Sequence, residues 1–209
     1  MPVDPPAQTQ HTVTGAPLPV LVWQLPEPCL AIASSALGGG LGERRWVLNA
    51  QVPADYRGDD PARDLDAIAT TTGCSGPGVG FLTAADVEAW TRGDSGDVTV
   101  FATVGLRVPE WAAAPAVAAA TPAMGTINIV AFVPQRLSDA ALVNTVVTVT
   151  EAKTQALFEA GIDGTGTASD AVCVLVPAAG PTEAYGGPRS RLGSHLARAV
   201  HAAVSAGTP

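Results

Sequence analysis

Two short stretches hold most of the side chains that could do chemistry, Thr150-Glu-Ala-Lys-Thr154 and Gly164-Thr-Gly-Thr-Ala-Ser-Asp170. Lys153 is the sole lysine beside ten arginines. A desolvated ammonium there would sit by a carboxylate or hold an anionic intermediate; the alternative is a buried stem whose charged head snorkels to water. Glu151 is suited to general-base work if another segment covers it, and is a solvated surface group if none does. In the second stretch the Thr165 and Thr167 hydroxyls and the Asp170 carboxylate stand at the entrance to an apolar run. They either line a site or serve as turn chemistry. Gly125-Thr126-Ile127-Asn128 repeats that pattern, and Asn49 interrupts another apolar run. An amide in such a run is bonded to backbone or turned to a polar ligand.

Secondary structure must bring these groups together. Ser138 is placed to cap a long helix running to Ala160, with Gly161 to end it. At about 100° per residue, Leu142, Val146, Val149, Lys153, Leu157 and Ala160 share an apolar stripe. Asn144, Thr148, Glu151 and Gln155 form a polar stripe, and Glu151 lies about 200° from Lys153, so the two leave the helix on different sides. Short apolar or β-branched runs at Val20–Leu25, Cys29–Ser34, Trp46–Val52, Asp97–Leu106, Thr126–Val133 and Ser169–Val176 predict strands. Helices are expected over Asp60–Thr72, with Pro61 in the first turn, and over Arg191–Ser205. Thr83-Ala-Ala-Asp86 looks like a capping box for a helix through Trp90, and 112–123 reads as a loop. Strands and helices interleave, which predicts one α/β or α+β domain over 20–209, a mixed β-sheet flanked by helices. Residues 1–19, with five prolines among Gln and Thr, predict a flexible tail.

Composition narrows the function. The 209 residues carry 11 basic and 19 acidic side chains, a net charge of −8, with 47% hydrophobic residues. That apolar share excludes disorder for the body of the chain. A P-loop lysine directly follows glycine, whereas Lys153 follows Glu151-Ala152, and an acidic chain with scattered arginines has no face for nucleic acid. Gly38–Gly42 lacks G-x-G-x-x-G spacing and leads into another strand, so a nucleotide-using enzyme built on this loop is a minor alternative. Cys29, Cys74 and Cys173 suggest no disulfide framework, and His11, His195 and His201 form no zinc pair. Trp111–Gln135 is too broken by Pro and Gly to be a membrane helix. No signal peptide is read, and a reducing, cytoplasmic setting is expected.

The order of the motifs carries more than any one of them. Ser34-Ser35, Trp46-Val-Leu-Asn49, Asp55-Tyr-Arg57, Gly80-Phe-Leu-Thr83, Ala102-Thr-Val-Gly105, Gly125-Thr-Ile-Asn-Ile-Val130, Thr150-Glu-Ala-Lys-Thr154, Gly166-Thr-Ala-Ser-Asp170 and Arg191-Leu-Gly193 resemble the adenosylcobinamide amidohydrolase family of corrinoid salvage. The likeness covers about residues 30–205. Family members tend to have Ala where Val104 stands, a change that would alter the pocket if the site passes nearby.

The resemblance implies hydrolysis of the amide joining aminopropanol to the corrin ring of adenosylcobinamide, giving adenosylcobyric acid. Cobalt then belongs to the substrate, and the protein needs no cofactor of its own. Asn49, Thr103, Thr126, Asn128, Thr165 and His195 are the expected hydrogen-bonding groups around the corrinoid. One scheme activates water with Glu151, holds the oxyanion on Lys153 or on N–H groups near Gly166-Thr167, and orients the assembly with Asp170. A second makes Thr167 or Thr165 the nucleophile, with Lys153 or Asp170 assisting. His195 is either an acid for the leaving amine or a structural residue. A non-catalytic corrinoid-binding or trafficking protein is the alternative function. Neither nucleic acid nor membrane insertion is expected, and the choice between monomer and homo-oligomer stays open.

Overall fold

The computed structural model describes residues 3–115 and 125–209. Strands β1 (Ala7–His11), β2 (Leu18–Ala33) and β3 (Gly40–Gln51) open the fold. Helix α1 (Pro61–Thr71) and strands β4 (Gly78–Thr83), β5 (Thr91–Ser95), β6 (Val98–Gly105) and β7 (Thr126–Phe132) follow. Helix α2 (Asp139–Glu159), strand β8 (Ala171–Pro177) and helix α3 (Arg191–Gly207) complete it. One mixed sheet has the order β4-β3-β2-β8-β7-β6-β5, with β1 on a free edge of β2. Among the described residues only the β3–β4 and β7–β8 strand pairs are parallel. The architecture is α+β.

Several differences from the sequence reading have local causes. The two strands expected at 20–25 and 29–34 are one strand. It bends at Pro26-Glu27-Pro28, where proline has no N–H for the ladder and the register with β3 shifts between Gln24 and Cys29. Ala7–His11, assigned by composition to a flexible tail, pairs with Leu18–Val22, and buried His11 lies 2.7 Å from the Gln51 carbonyl oxygen. Main-chain pairing needs no apolar side chains, so composition does not reveal it. The Thr83–Trp90 helix shrinks to a single 3-10 turn at Val87–Ala89, capped by Asp86, because Thr83 stays in β4 with its carbonyl bonded to the Val52 N–H. β4 itself begins in the glycine-rich stretch Gly73-Cys-Ser-Gly-Pro-Gly-Val-Gly80, which carries no strand pattern. Gly78 lies flat against the Trp46 ring, where any Cβ would overlap it. The expected loop at 112–123 lies mostly outside the described residues.

The sheet is curled rather than flat. In the strand order β3 and β7 are three spacings apart, about 14 Å in a flat sheet. Yet Asn128 of β7 donates to Asn49 of β3 at 2.9 Å. The inner face this creates holds Trp23, Val47, Phe81, Phe101, Val130 and Cys173. Phe101 stands centrally there, 5.5 Å from Trp23 and 6.1 Å from Phe132 between ring centroids. Helices α2 and α3 cover the outer face of β6, β7 and β8, and α1 covers the outer face of β2 and β3. Among the described residues no helix is long and apolar enough to cross a membrane.

Helix α2 forms as its signals predict. The Ser138 hydroxyl accepts the Ala141 N–H at 3.2 Å, and Gly161, with φ +74°, turns the chain out after Ala160. Its buried arc includes Leu142, Val149, Lys153 and Leu157 from the apolar stripe. The polar stripe splits: Thr148 is buried and donates to the Gly186 carbonyl at 2.9 Å, whereas Glu151 and Gln155 are exposed.

Candidate active site

Asp170 ties three elements together at the entrance to β8. Its Oδ1 accepts the Ile127 N–H at 2.9 Å and the Thr167 hydroxyl at 2.6 Å. Its Oδ2 accepts the Thr167 N–H at 3.1 Å and the Lys153 ammonium. Two carboxylate oxygens offer about four lone-pair positions, and all are taken. Asp170 therefore acts as an anchor, with no lone pair left over for a water. Lys153, 8% exposed, reaches it from α2 and does not snorkel to water.

Beside this anchor is a cleft of about 310 Å³ at the open end of the curled sheet. Ser34 and Ser35 enter from the end of β2, Thr126 and Asn128 from β7, and Ser169 and Asp170 from the turn before β8. Backbone clasps hold these groups. Ser34 N–H donates to the Val172 carbonyl at 2.9 Å, and its Oγ accepts the Val172 N–H at 3.0 Å. Ser169 Oγ donates to the Gly125 carbonyl at 3.0 Å and lies 2.8 Å from Thr126 Oγ1. Behind Asn128, Asn49 donates to Thr103 Oγ1 at 2.9 Å, so these two support the cleft floor from within.

Other candidates lie elsewhere. Glu151 is exposed in a separate groove of about 540 Å³ between α2 and α3, with Pro188, Arg189, Arg198 and His201. That groove is larger, and Glu151 and Lys153 emerge on different sides of α2, Glu151 into the groove and Lys153 toward Asp170. Thr165 faces the Glu110 segment, accepting the Ala112 N–H at 2.9 Å, and lines neither depression. Thr167 gives its proton to Asp170, its methyl close to Gly125. His195 lies 3.0 Å from Ser95 Oγ and 3.1 Å from Arg198 on the α3–β5 side, away from the cleft. Val104 packs against the outer cluster of β6 and α3, so its added bulk does not shape the cleft.

Tyr56 lines the cleft without having been singled out on its own. Its link to Asp64, eight positions away on α1, is a contact no local pattern shows. The phenol donates to Asp64 Oδ2 at 2.5 Å. Burial, this bond and the nearby Asp64 and Asp60 charges raise the phenol above its ordinary range. A raised folded pKa makes this interaction fully present below about pH 10 and lost as pH climbs further. Tyr56→Phe is expected to leave the 295 nm alkaline difference titration unchanged across roughly pH 9–11, since Tyr56 stays protonated there. Loss of half the signal in that window would contradict the assignment.

Fold and cleft together define a single-domain α+β protein with a hydroxyl-lined cleft at one end of a curled sheet. Residues 4–209 match the family described as adenosylcobinamide amidohydrolase, and the chain belongs to that family. The match includes β1. The adenosylcobinamide amidohydrolase of Methanosarcina mazei is 31% identical over 183 residues, 83% of this chain and 88% of the relative. That of Halobacterium salinarum is 38% identical over 119 residues, 53% and 50% of the two chains. An uncharacterised protein of Methanocaldococcus jannaschii is 34% identical over 89 residues, 39% and 34% of the two chains.

Proposed function

We propose that the protein hydrolyses the amide between aminopropanol and the corrin ring of adenosylcobinamide. Water adds its oxygen to the carbonyl carbon, the C–N bond breaks, and the displaced nitrogen takes a water proton, giving adenosylcobyric acid and aminopropanol. The observation that carries this reading is the convergence of Ser34, Ser35, Thr126 and Ser169 beside the anchored Asp170, in a chain of this family. A cleft of about 310 Å³ takes the amide-bearing arm, and the macrocycle with its cobalt and adenosyl group rests outside on the rim. Since Ser169 gives its proton to the Gly125 carbonyl, Thr126 is the donor in its 2.8 Å contact with Ser169 Oγ, and turning that proton toward an oxyanion in the cleft exchanges this bond for a charge-assisted one. Lys153 and Asp170 position the turn. No cofactor of the protein enters the scheme.

The test is incubation with adenosylcobinamide, followed by mass spectrometry for adenosylcobyric acid and aminopropanol. Absence of product alongside measurable corrinoid binding would replace hydrolysis by the carrier reading. Because Glu151 faces the other groove, Glu151→Gln is expected to keep kcat/KM within about twofold of wild type. A loss of a hundredfold or more would restore Glu151 as a base.

A further inference from the structure

The floor of the cleft holds one buried polar atom that no group among the described residues satisfies. Asn128 is 2% exposed, and its Oδ1 has no hydrogen-bond partner among them. Its other amide atom faces the Leu82 carbonyl oxygen at 3.2 Å and Asn49 Oδ1 at 2.9 Å. The Leu82 carbonyl can only accept, so the atom facing it must be the nitrogen. Asn49 then presents its oxygen to Asn128 and its nitrogen to Thr103 Oγ1 at 2.9 Å. Three neighbours on three strands thus fix the Asn128 amide in one orientation, with its carbonyl left over. A buried carbonyl without a donor is costly, and a ligand N–H offsets that cost.

We infer that Asn128 Oδ1 is the acceptor that selects an amide N–H at the scissile bond, and that Asn49 and Thr103 are positioning residues that hold it as an acceptor. The inference rests on the proposed amide hydrolysis and adds a basis for discrimination to it. A substrate amide brings one N–H to Asn128. The product acid brings none, and its carboxylate oxygen would face the Asn128 lone pairs. The same atom therefore favours substrate over product and helps the acid to leave. A site built to bond an N–H rejects the analogue lacking it because its own polar atom is left unpaired.

The experiment compares KM for adenosylcobinamide with the inhibition constant for adenosylcobyric acid in wild type, Asn128→Ala and Asn49→Ala. Asn128→Ala is expected to raise KM about tenfold while leaving the acid's constant unchanged or lower, so that the ratio of KM to the inhibition constant rises roughly tenfold or more. Asn49→Ala should move the ratio the same way by a smaller factor, since the Asn128 amide is then free to turn. Circular dichroism melts check folding, and Asn49→Ala carries the test if Asn128→Ala does not fold. Equal changes for both corrinoids, or no change for either, overturn the inference. If the wild type releases no acid, hydrolysis is what has failed. The two dissociation constants, measured directly by calorimetry, then still report whether Asn128 recognises the N–H.

Discussion

Asp170→Ala is expected to lose about 3–5 kcal/mol of stability, the range for breaking one side of a buried ion pair. For a chain of this length that is roughly 6–20 °C in Tm. The side chains of Lys153 and Asp170 are 10% and 14% exposed, so water cannot replace the lost carboxylate. The substitution strands an ammonium and also removes the acceptor for the Ile127 N–H, the Thr167 N–H and the Thr167 hydroxyl. These donors come from β7 and from the turn before β8, whose residues border the cleft, and turnover should disappear with them. Lys153→Met should cost less, because the carboxylate keeps three donors. Lys153→Met with Asp170→Asn should be more stable than Asp170→Ala, since it leaves no unpaired buried charge. Thermal melts of the three variants decide the matter. An Asp170→Ala protein melting within a degree or two of wild type would remove the anchor role.

Much of this arrangement could be read from the chain, and the unread parts share a cause. Period and caps located α2 closely, because Ser138, Gly161 and the apolar spacing act over a few residues. The same spacing placed Glu151 and Lys153 on different sides, which the separate groove and cleft bear out. Gly166-Thr-Ala-Ser-Asp170 was legible as a polar strand entrance. What stayed hidden depends on the curl of the sheet. The contacts Asn128 to Asn49 and Asn49 to Thr103 join residues 79 and 54 positions apart. Tyr56 and Ser169 reach the cleft by the same long-range closure. β1 and β4 escaped because main-chain pairing and glycine packed flat on an indole leave no hydrophobic alternation to detect.

Gly166→Ala should reduce kcat/KM roughly a hundredfold, the scale of a displacement of about 1 Å at a catalytic assembly. A methyl group at this position would overlap both Asp170 Oδ2 and the Lys153 ammonium, so the pair must separate or the turn must retreat. Retreat is opposed from outside. The Gly166 carbonyl accepts the Glu110 N–H at 2.8 Å, the Thr165 N–H donates to the Glu110 carbonyl at 2.8 Å, and Thr154 Oγ1 donates to the Thr165 carbonyl at 3.2 Å. Held on that side, the turn passes the strain to the ion pair. The stability loss should fall near 1–3 kcal/mol, the usual cost of overpacking, and below that of Asp170→Ala because all four donors remain. The steric account also makes a claim about coupling. With Lys153→Ala the space of the ammonium is free, so adding Gly166→Ala to that variant should cost at least about 1 kcal/mol less than adding it to wild type. Melts of the two single variants and the double variant measure the difference directly. Strictly additive losses would mean that the methyl group is accommodated elsewhere, and that glycine at 166 does not serve the contact between Lys153 and Asp170.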